Sequence, residues 1–313
     1  MFRAALLRWY DREKRDLPWR RTKDPYRIWV SEIMLQQTRV GAVLEHYRRF
    51  FERFPSISNL AAASTNEVLA AWSGLGYYRR ARNLHAAVQK VIGELAGDIP
   101  RTADGLRNLP GIGRYTAAAI ASIAFNEQCA VLDGNVERVL ERISGSNSLS
   151  KSELWGMAED LLSSTRPGDF NQAVMELGAT LCLPAQPRCL LCPIHRWCQT
   201  KGSHPKKNLQ HRRLERVDLL LIQNGGRVKM VRRSKSETVM PGMWELPTLV
   251  TLPPNGVSPA VTLKHAIMNT DYQVKVWTGG RPRGRTQWCP LKDVQQLPIT
   301  GLTRKILRRM ALI

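Results

Sequence analysis

Leu109-Pro110-Gly111-Ile112-Gly113-Arg114-Tyr115-Thr116-Ala117 is the stretch on which the fold turns. Helical patterning flanks it, so that a helix–turn–helix is expected near 105–125. Gly111 and Gly113 let the backbone take positive φ, turn tightly and come close to another molecule. The following helix offers unpaired N–H groups at its N-terminus, which suit a phosphate. A hairpin of this kind holds a nucleic-acid backbone without reading its sequence. An ordinary turn between helices is the plainer alternative, and the Leu-Pro-Gly-Ile-Gly pattern argues against it.

Outward from the hairpin, the pattern is helical from residue 1 to about 200, with few candidate strands. Arg27 to Thr38 repeats apolar residues at spacings of three and four, and a longer helical run reaches Phe54 before Pro55 breaks it. Ser64-Thr65-Asn66-Glu67 reads as the capped start of a helix through Val68-Leu69-Ala70-Ala71-Trp72. Ser73-Gly74-Leu75-Gly76 breaks that helix, and Arg79 to Leu95 is helical again. Beyond residue 200 the period changes. Residues 201–214 form a basic, turn-rich stretch that predicts a linker. Val217–Ile222, Asn224-Gly225-Gly226 and Val228–Val231 predict a β-hairpin. Strand-like runs follow at Val261–Met268 and Tyr272–Trp277, and a short basic helix begins at Leu302. The expected order is a mainly α domain over 1–200, the linker, and a smaller α+β domain over 215–313.

A chain of 313 residues is long enough for two domains, each with its own core. No stretch approaches the roughly 20 apolar residues of a membrane helix. Met1 to Tyr10 alternates charge and bulk like an amphipathic helix and lacks the features of a signal peptide. A cytoplasmic protein with no membrane partner is expected, associated with the nucleoid if bacterial. Lys and Arg outnumber Asp and Glu 47 to 26, a formal charge of +21 that calls for a polyanionic partner. Ribosomal, membrane-surface and DNA-processing proteins all share this bias. Binding to such a partner weakens steeply with salt, because each neutralised phosphate releases counterions.

Of the six cysteines, Cys129 and Cys289 stand alone, while Cys182, Cys189, Cys192 and Cys198 are spaced C-x6-C-x2-C-x5-C. Clustering of this kind in a reducing compartment favours metal over disulfides. Four thiolates suit Zn2+ or an iron–sulfur cluster equally by count. A single C-x2-C pair, in a loop stiffened by Pro184, Pro187 and Pro193, favours the cluster; zinc and unmetallated core cysteines stay open. Two carboxylates also stand out. Glu32 sits among Ile28, Trp29, Val30 and Ile33, so it is either a snorkelling surface charge or a group with a raised pKa. Asp133 follows Ala130-Val131-Leu132 and precedes a helix, the position of an N-cap that can also present its carboxylate to a ligand.

Together the hairpin and the cysteines resemble the helix-hairpin-helix DNA glycosylase superfamily with a terminal four-cysteine cluster. Ser31-Glu32-Ile33-Met34-Leu35-Gln36-Gln37-Thr38, Trp72-Ser73-Gly74-Leu75-Gly76-Tyr77-Tyr78 and Val131-Leu132-Asp133-Gly134-Asn135-Val136 narrow the match to the A/G-specific adenine glycosylase (MutY) family. The resemblance implies a helix-hairpin-helix glycosylase domain with a [4Fe-4S] cluster loop at 182–198, followed by a Nudix-like domain. It implies a monomer acting on double-stranded DNA that carries adenine opposite 8-oxoguanine or guanine. Glu32 would be the general acid towards N7 of adenine and would later help to activate water. Asp133 would stabilise the oxocarbenium-like sugar, with Tyr115 and Asn135 orienting the pair. This division parallels glycoside hydrolysis, where environment splits two carboxylates into acid and stabiliser. Gln37, Thr38, Leu75, Tyr77, Gly111, Gly113 and Arg114 would contact DNA. Gln37, Leu75 and Tyr77 match positions that wedge into the duplex, and the glycines beside Leu75 and Tyr77 predict that both are exposed rather than core.

Relatives that also cleave the sugar carry a lysine for a Schiff base where this chain has Tyr115, so a monofunctional glycosylase is favoured. A bifunctional pyrimidine-lesion glycosylase and a noncatalytic DNA-binding or redox-sensing protein are the other readings. Met240-Pro241-Gly242-Met243-Trp244-Glu245-Leu246-Pro247 resembles the Nudix-like domain, yet no run of glutamates follows for metal-dependent pyrophosphate hydrolysis. One departure stands out. Family members commonly carry Phe-Ser-His where this chain has Ile267, Met268 and Asn269, the positions that would recognise the opposite base. Weaker preference for 8-oxoguanine over guanine is expected to result.

Overall fold

The computed structural model describes residues 1–202, 213–234, 236–237, 239–251, 257–267 and 269–313. Met268 and most of the expected linker, residues 203–212, lie outside these. From 1 to 202 every regular element is helical. In order these are α1 (Phe2–Glu13), α2 (Pro25–Leu35), α3 (Val40–Arg53), α4 (Ile57–Ala62), α5 (Thr65–Trp72) and α6 (Arg79–Glu94). They are followed by α7 (Ala103–Arg107), α8 (Arg114–Phe125), α9 (Gly134–Ser144), α10 (Lys151–Leu161) and α11 (Pro167–Thr180). Beyond them lie β1 (Arg213–Leu220), β2 (Gln223–Asn224), β3 (Arg227–Arg232), β4 (Trp244–Glu245), β5 (Leu249–Thr251), β6 (Val261–Ile267), β7 (Thr270–Trp277), β8 (Arg281–Pro282), β9 (Gln287–Pro290), α12 (Leu291–Val294) and α13 (Gly301–Arg309). No helix among the described residues is long and apolar enough to cross a membrane.

The boundaries follow local chemistry. Asp24 caps α2 by accepting from the N–H groups of Tyr26 and Arg27, with Pro25 at the first helical position. Ser64 and Glu67 form a reciprocal capping box at the start of α5. In the hairpin only Gly111 takes positive φ, at 77°. Gly113, equally free to do so, is instead the N-cap of α8 with an ordinary φ of −90°. A side chain at Gly113 would meet no protein atom within 4 Å, so the backbone there is open to approach.

The chain divides into two compact units, and the division is not a single cut. One unit holds residues 1–47, 56–61 and 86–207; the other holds 48–55, 62–85 and 208–313. α5 and the first turns of α6 therefore belong with the C-terminal strands. In that second unit β7 is central, pairing in parallel with β1 and antiparallel with β6. β3 pairs antiparallel with β2, β4 and β9. The expected hairpin is thus shorter than its sequence pattern suggests. Only Gln223–Asn224 and Arg227–Val228 close around Gly225-Gly226, while the longer run ending at Leu220 pairs with distant β7. The reason is burial: Leu219 and Leu221 enter a core with Val228, Met230, Val274, Val276, Ile299 and Ile306.

Candidate active site

α2 is apolar on nearly every face, with Ile28, Trp29, Val30, Ile33 and Met34 all buried. A helix of that kind carries any polar residue on it into the core. Glu32 is so carried, and only 6% of it is exposed. Tyr115, in the first turn of α8, donates its hydroxyl proton to Glu32 Oε2 at 2.9 Å and lies 3.4 Å from Met175 Sδ. Asp133 is the N-cap of α9: Oδ1 accepts from the N–H groups of Asn135 (2.9 Å) and Val136 (2.8 Å), and Oδ2 accepts from Asn135 Nδ2 at 3.0 Å. A helix N-terminus favours an anion there, so capping and presenting a carboxylate coincide in one residue.

Burial pushes the Glu32 carboxyl up to about 7 from 4.5, and the nearby Asp133 carboxylate adds to the rise. The Tyr115 hydrogen bond and the Arg20 charge oppose it. The Tyr115 phenol is itself driven well above 10, by burial first and then by the two carboxylates. The Glu32 carboxyl thus keeps its proton into the neutral range, beside a phenol that stays protonated. A reaction needing that proton is expected to slow as pH rises above about 7, by about tenfold per pH unit, because only the protonated carboxyl is competent. A single-turnover rate that stays flat from pH 6 to 9 would exclude Glu32 as the donor.

These three residues, with Gln37, Thr38 and Asn135, line one open cavity of about 480 Å3 in the first unit. Gln37 is exposed and has positive φ, at 55°. Sequence reading missed the rest of the wall, to which Arg15, Trp19, Arg20, Gln172 and Glu176 contribute. Glu176 is fully buried and holds Arg15 through both carboxylate oxygens (2.7 and 2.6 Å) and Arg20 at 2.8 Å. Burial opposes the charge, but the two guanidiniums together hold this carboxyl down at about 2. The available signal was a charged residue between Val174 and Leu177 on the buried face of α11.

Asn135 is fixed in turn. Its Oδ1 accepts from Arg138 Nη2 at 3.0 Å, and Arg138 also donates to the carbonyls of Gly178 (2.6 Å) and Cys182 (2.8 Å). A Cβ at Gly178 would lie 2.7 Å from Asn135 Cβ and 3.0 Å from its carbonyl oxygen, so only glycine lets α11 pack this closely on α9. The same contacts tie the cysteine loop to the residue that orients Asp133. In that loop Arg142 donates to Cys182 Sγ at 3.2 Å, the Lys201 N–H donates to Cys198 Sγ at 3.4 Å, and the Cys198 thiol donates to the Arg142 carbonyl at 3.2 Å. All four thiols are free and half-buried. Among the described residues no three His, Cys, Asp or Glu side chains converge closely enough to hold a single metal ion.

The other expected DNA contacts are not among the residues lining this cavity. Arg114 is exposed, its guanidinium 3.8 Å from the centre of the Trp155 ring and 2.8 Å from Glu159. Leu75, expected at the surface, is only 6% exposed; the α5–α6 turn folds it inward with Tyr78 and exposes Tyr77 instead, at 42%. In the second unit Asn269 is exposed at the turn between β6 and β7, its carbonyl accepting from Arg213 N–H at 2.9 Å, and Ile267 ends β6 half-buried.

The helical unit, with its glycine hairpin and carboxylate-lined cavity, has the fold of base-excision DNA repair proteins. The family model described as "HhH-GPD superfamily base excision DNA repair protein" matches residues 30–161, which include Glu32, Tyr115 and Asp133. A thermostable thymine-DNA glycosylase of known structure superposes with a TM-score of 0.60 at 32% identity, covering 64% of this chain and 94% of that one. The adenine DNA glycosylase of Buchnera aphidicola (from Acyrthosiphon pisum) is 36% identical over 233 residues, covering 71% of this chain and 67% of that protein. The human adenine DNA glycosylase is 50% identical over 214 residues, covering 64% of this chain. This chain spans only 39% of the length of the human protein. It belongs to the adenine DNA glycosylase family.

Proposed function

We propose that the protein is a monofunctional DNA glycosylase that hydrolyses the N-glycosidic bond of adenine mispaired with 8-oxoguanine or guanine in duplex DNA, leaving an abasic site. The observation that carries this is the buried Glu32 carboxyl, hydrogen-bonded to Tyr115 and sharing one cavity with Asp133. Protonated Glu32 donates to N7 of an extruded adenine, and the C1′–N9 bond breaks with its electron pair leaving on the base. Positive charge develops on the sugar, where the Asp133 carboxylate stabilises it electrostatically. Water adds at C1′ and gives its proton to the Glu32 carboxylate, which restores the acid. Tyr115 and Asn135 orient the two carboxyl groups. A phenol offers no amine for a Schiff base, so no lyase step runs through position 115.

Cys182, Cys189, Cys192 and Cys198 would hold a [4Fe-4S] cluster. Four free thiols in one loop, with N–H donors aimed at Cys182 Sγ and Cys198 Sγ, fit a sulfur-ligated group. The cluster would supply loop rigidity there, and no bond-breaking step is routed through it. Purified protein is expected to contain about four irons per chain and to absorb visible light. One zinc per chain, colourless, would overturn this assignment.

The C-terminal α+β segment is assigned a Nudix-like role in reading the base opposite adenine, with Asn269 as its hydrogen-bonding group. Lacking an imidazole and an aromatic ring at that turn, the protein is expected to discriminate less sharply between 8-oxoguanine and guanine. The test is base release from duplexes carrying adenine opposite 8-oxoguanine, G, C and T. Adenine freed opposite 8-oxoguanine and G at similar rates, and not opposite T, supports both readings. No release from any duplex overturns the function, and a strong preference for 8-oxoguanine overturns the relaxed selectivity.

A further inference from the structure

The turn between α5 and α6 combines backbone strain with an exposed aromatic ring. Gly74, Gly76 and Tyr77 have φ of 112°, 70° and 48°. Glycine adopts such angles freely, whereas a tyrosine does so at a cost. Strain of this kind persists only where the surroundings over-determine it, and it clusters where function needs a fixed shape. Two sets of contacts hold the turn. From inside, Trp72 Nε1 donates to the Gly76 carbonyl at 3.2 Å, and Arg80 Nη2 donates to the carbonyls of Leu75 and Gly76 at 3.1 Å each. The Arg80 guanidinium also lies 5.5 Å from the centres of the Trp72 and Tyr77 rings.

The second set comes from residues more than 200 positions away in the chain. Ser73 Oγ and Tyr78 OH, one at each foot of the turn, both donate to the Ile299 carbonyl, at 2.8 and 3.1 Å. Arg304 Nε in α13 donates to Ser73 Oγ at 3.0 Å. Ile299 is fully buried, and its neighbours are pinned to β4: Trp244 N–H donates to the Pro298 carbonyl (2.8 Å), and Thr300 N–H to the Trp244 carbonyl (2.9 Å). Thr300 then caps α13. One rigid carbonyl thus fastens both feet of a strained turn, while Tyr77 between them stays exposed.

We infer that the β4–α13 junction is a positioning device for Tyr77, holding the turn so that the ring stands ready to stack into a duplex as a base leaves it. This rests on the function proposed above. Extruding a base removes stacking that an inserted ring replaces. The replacement is most effective when the ring is ordered before DNA arrives, because ordering it on binding opposes association. Ser73, Tyr78 and Arg304 act through Tyr77 and touch no reacting atom.

The test uses the full chain as wild type, Ser73→Ala/Tyr78→Phe and Arg304→Met. Hydrogen exchange is read at residues 74–78 against α8, and base unstacking from the fluorescence of 2-aminopurine at the target position. Both altered proteins are expected to exchange about tenfold faster at 74–78 with α8 unaffected, and to unstack the base about tenfold more slowly. Arg304→Lys, which keeps a donor, is expected to restore most of the unstacking rate. Should the double variant fail to fold, Ser73→Ala alone must move both readouts in the same direction. Unstacking at the wild-type rate, or exchange unchanged at 74–78, overturns the inference even where adenine is released normally. No adenine release by the wild type would instead sink the proposed function.

Discussion

Replacing Glu32 by Gln is expected to slow adenine release by about a hundredfold or more, with DNA binding unchanged. Gln keeps the volume, and its carbonyl can still accept from the Tyr115 hydroxyl that now binds Glu32 Oε2. What it removes is the transferable proton. The same change has an opposite consequence for stability. A carboxyl raised from 4.5 to about 7 by burial takes up a proton on folding, so its stability contribution declines as pH rises through that window. Above pH 7 the buried anion costs at most about 3 kcal/mol, and Gln relieves it. Thermal melting at pH 5 and pH 8 should therefore show the variant gaining on the wild type as pH rises. A release rate within tenfold of wild type would remove Glu32 from the mechanism.

Asp133→Asn is the second large effect. Asn is as good an N-cap as Asp, and its Oδ1 can still accept from the N–H groups of Asn135 and Val136. The fold should hold, with a melting change equivalent to less than about 1 kcal/mol. The charge is gone, however, and the new amide faces Asn135 Nδ2, which now donates to Asp133 Oδ2. Two N–H2 groups then oppose each other. Adenine release is expected to fall by about 10² to 10³ while binding to an abasic-site duplex persists. Measured in one preparation, unchanged melting with a collapsed rate separates chemistry from folding. A rate loss that merely tracks a loss of stability would reduce Asp133 to its capping role.

Local features of this fold were legible because their causes are local. Ser64 and Glu67 lie three residues apart and cap α5 as their spacing predicts. Asp133 reads as a cap and is one. Gly225-Gly226 reads as a tight turn and closes β2 onto β3. The parallel pairing of β1 with β7 was not legible, since a strand carries no mark of a partner more than fifty residues away. The same limit hid the rest of the cavity's wall. Arg15 and Arg20 meet Glu176 across more than 150 residues, and only the oddity of a carboxylate on a buried helical face hinted at it.

Exposure was the least reliable reading. The glycines around Leu75 mark a break correctly, but a break does not say which side chain faces out. Here Tyr77 does and Leu75 does not. Segments 48–55 and 62–85 pack with the C-terminal strands, an arrangement that a contiguous division of the sequence does not anticipate. Glu32 is the instructive middle case. Its apolar neighbours on α2 left two readings open, a surface charge or a perturbed acid, and burial in the fold selects the second.

The most direct test of that central point is titration of the Glu32 carboxyl itself, by carbon NMR of protein labelled at glutamate and assigned through Glu32→Gln. A midpoint near 7 is expected. A midpoint near 4.5 would mean that Glu32 is ionised at neutral pH and is not the proton donor.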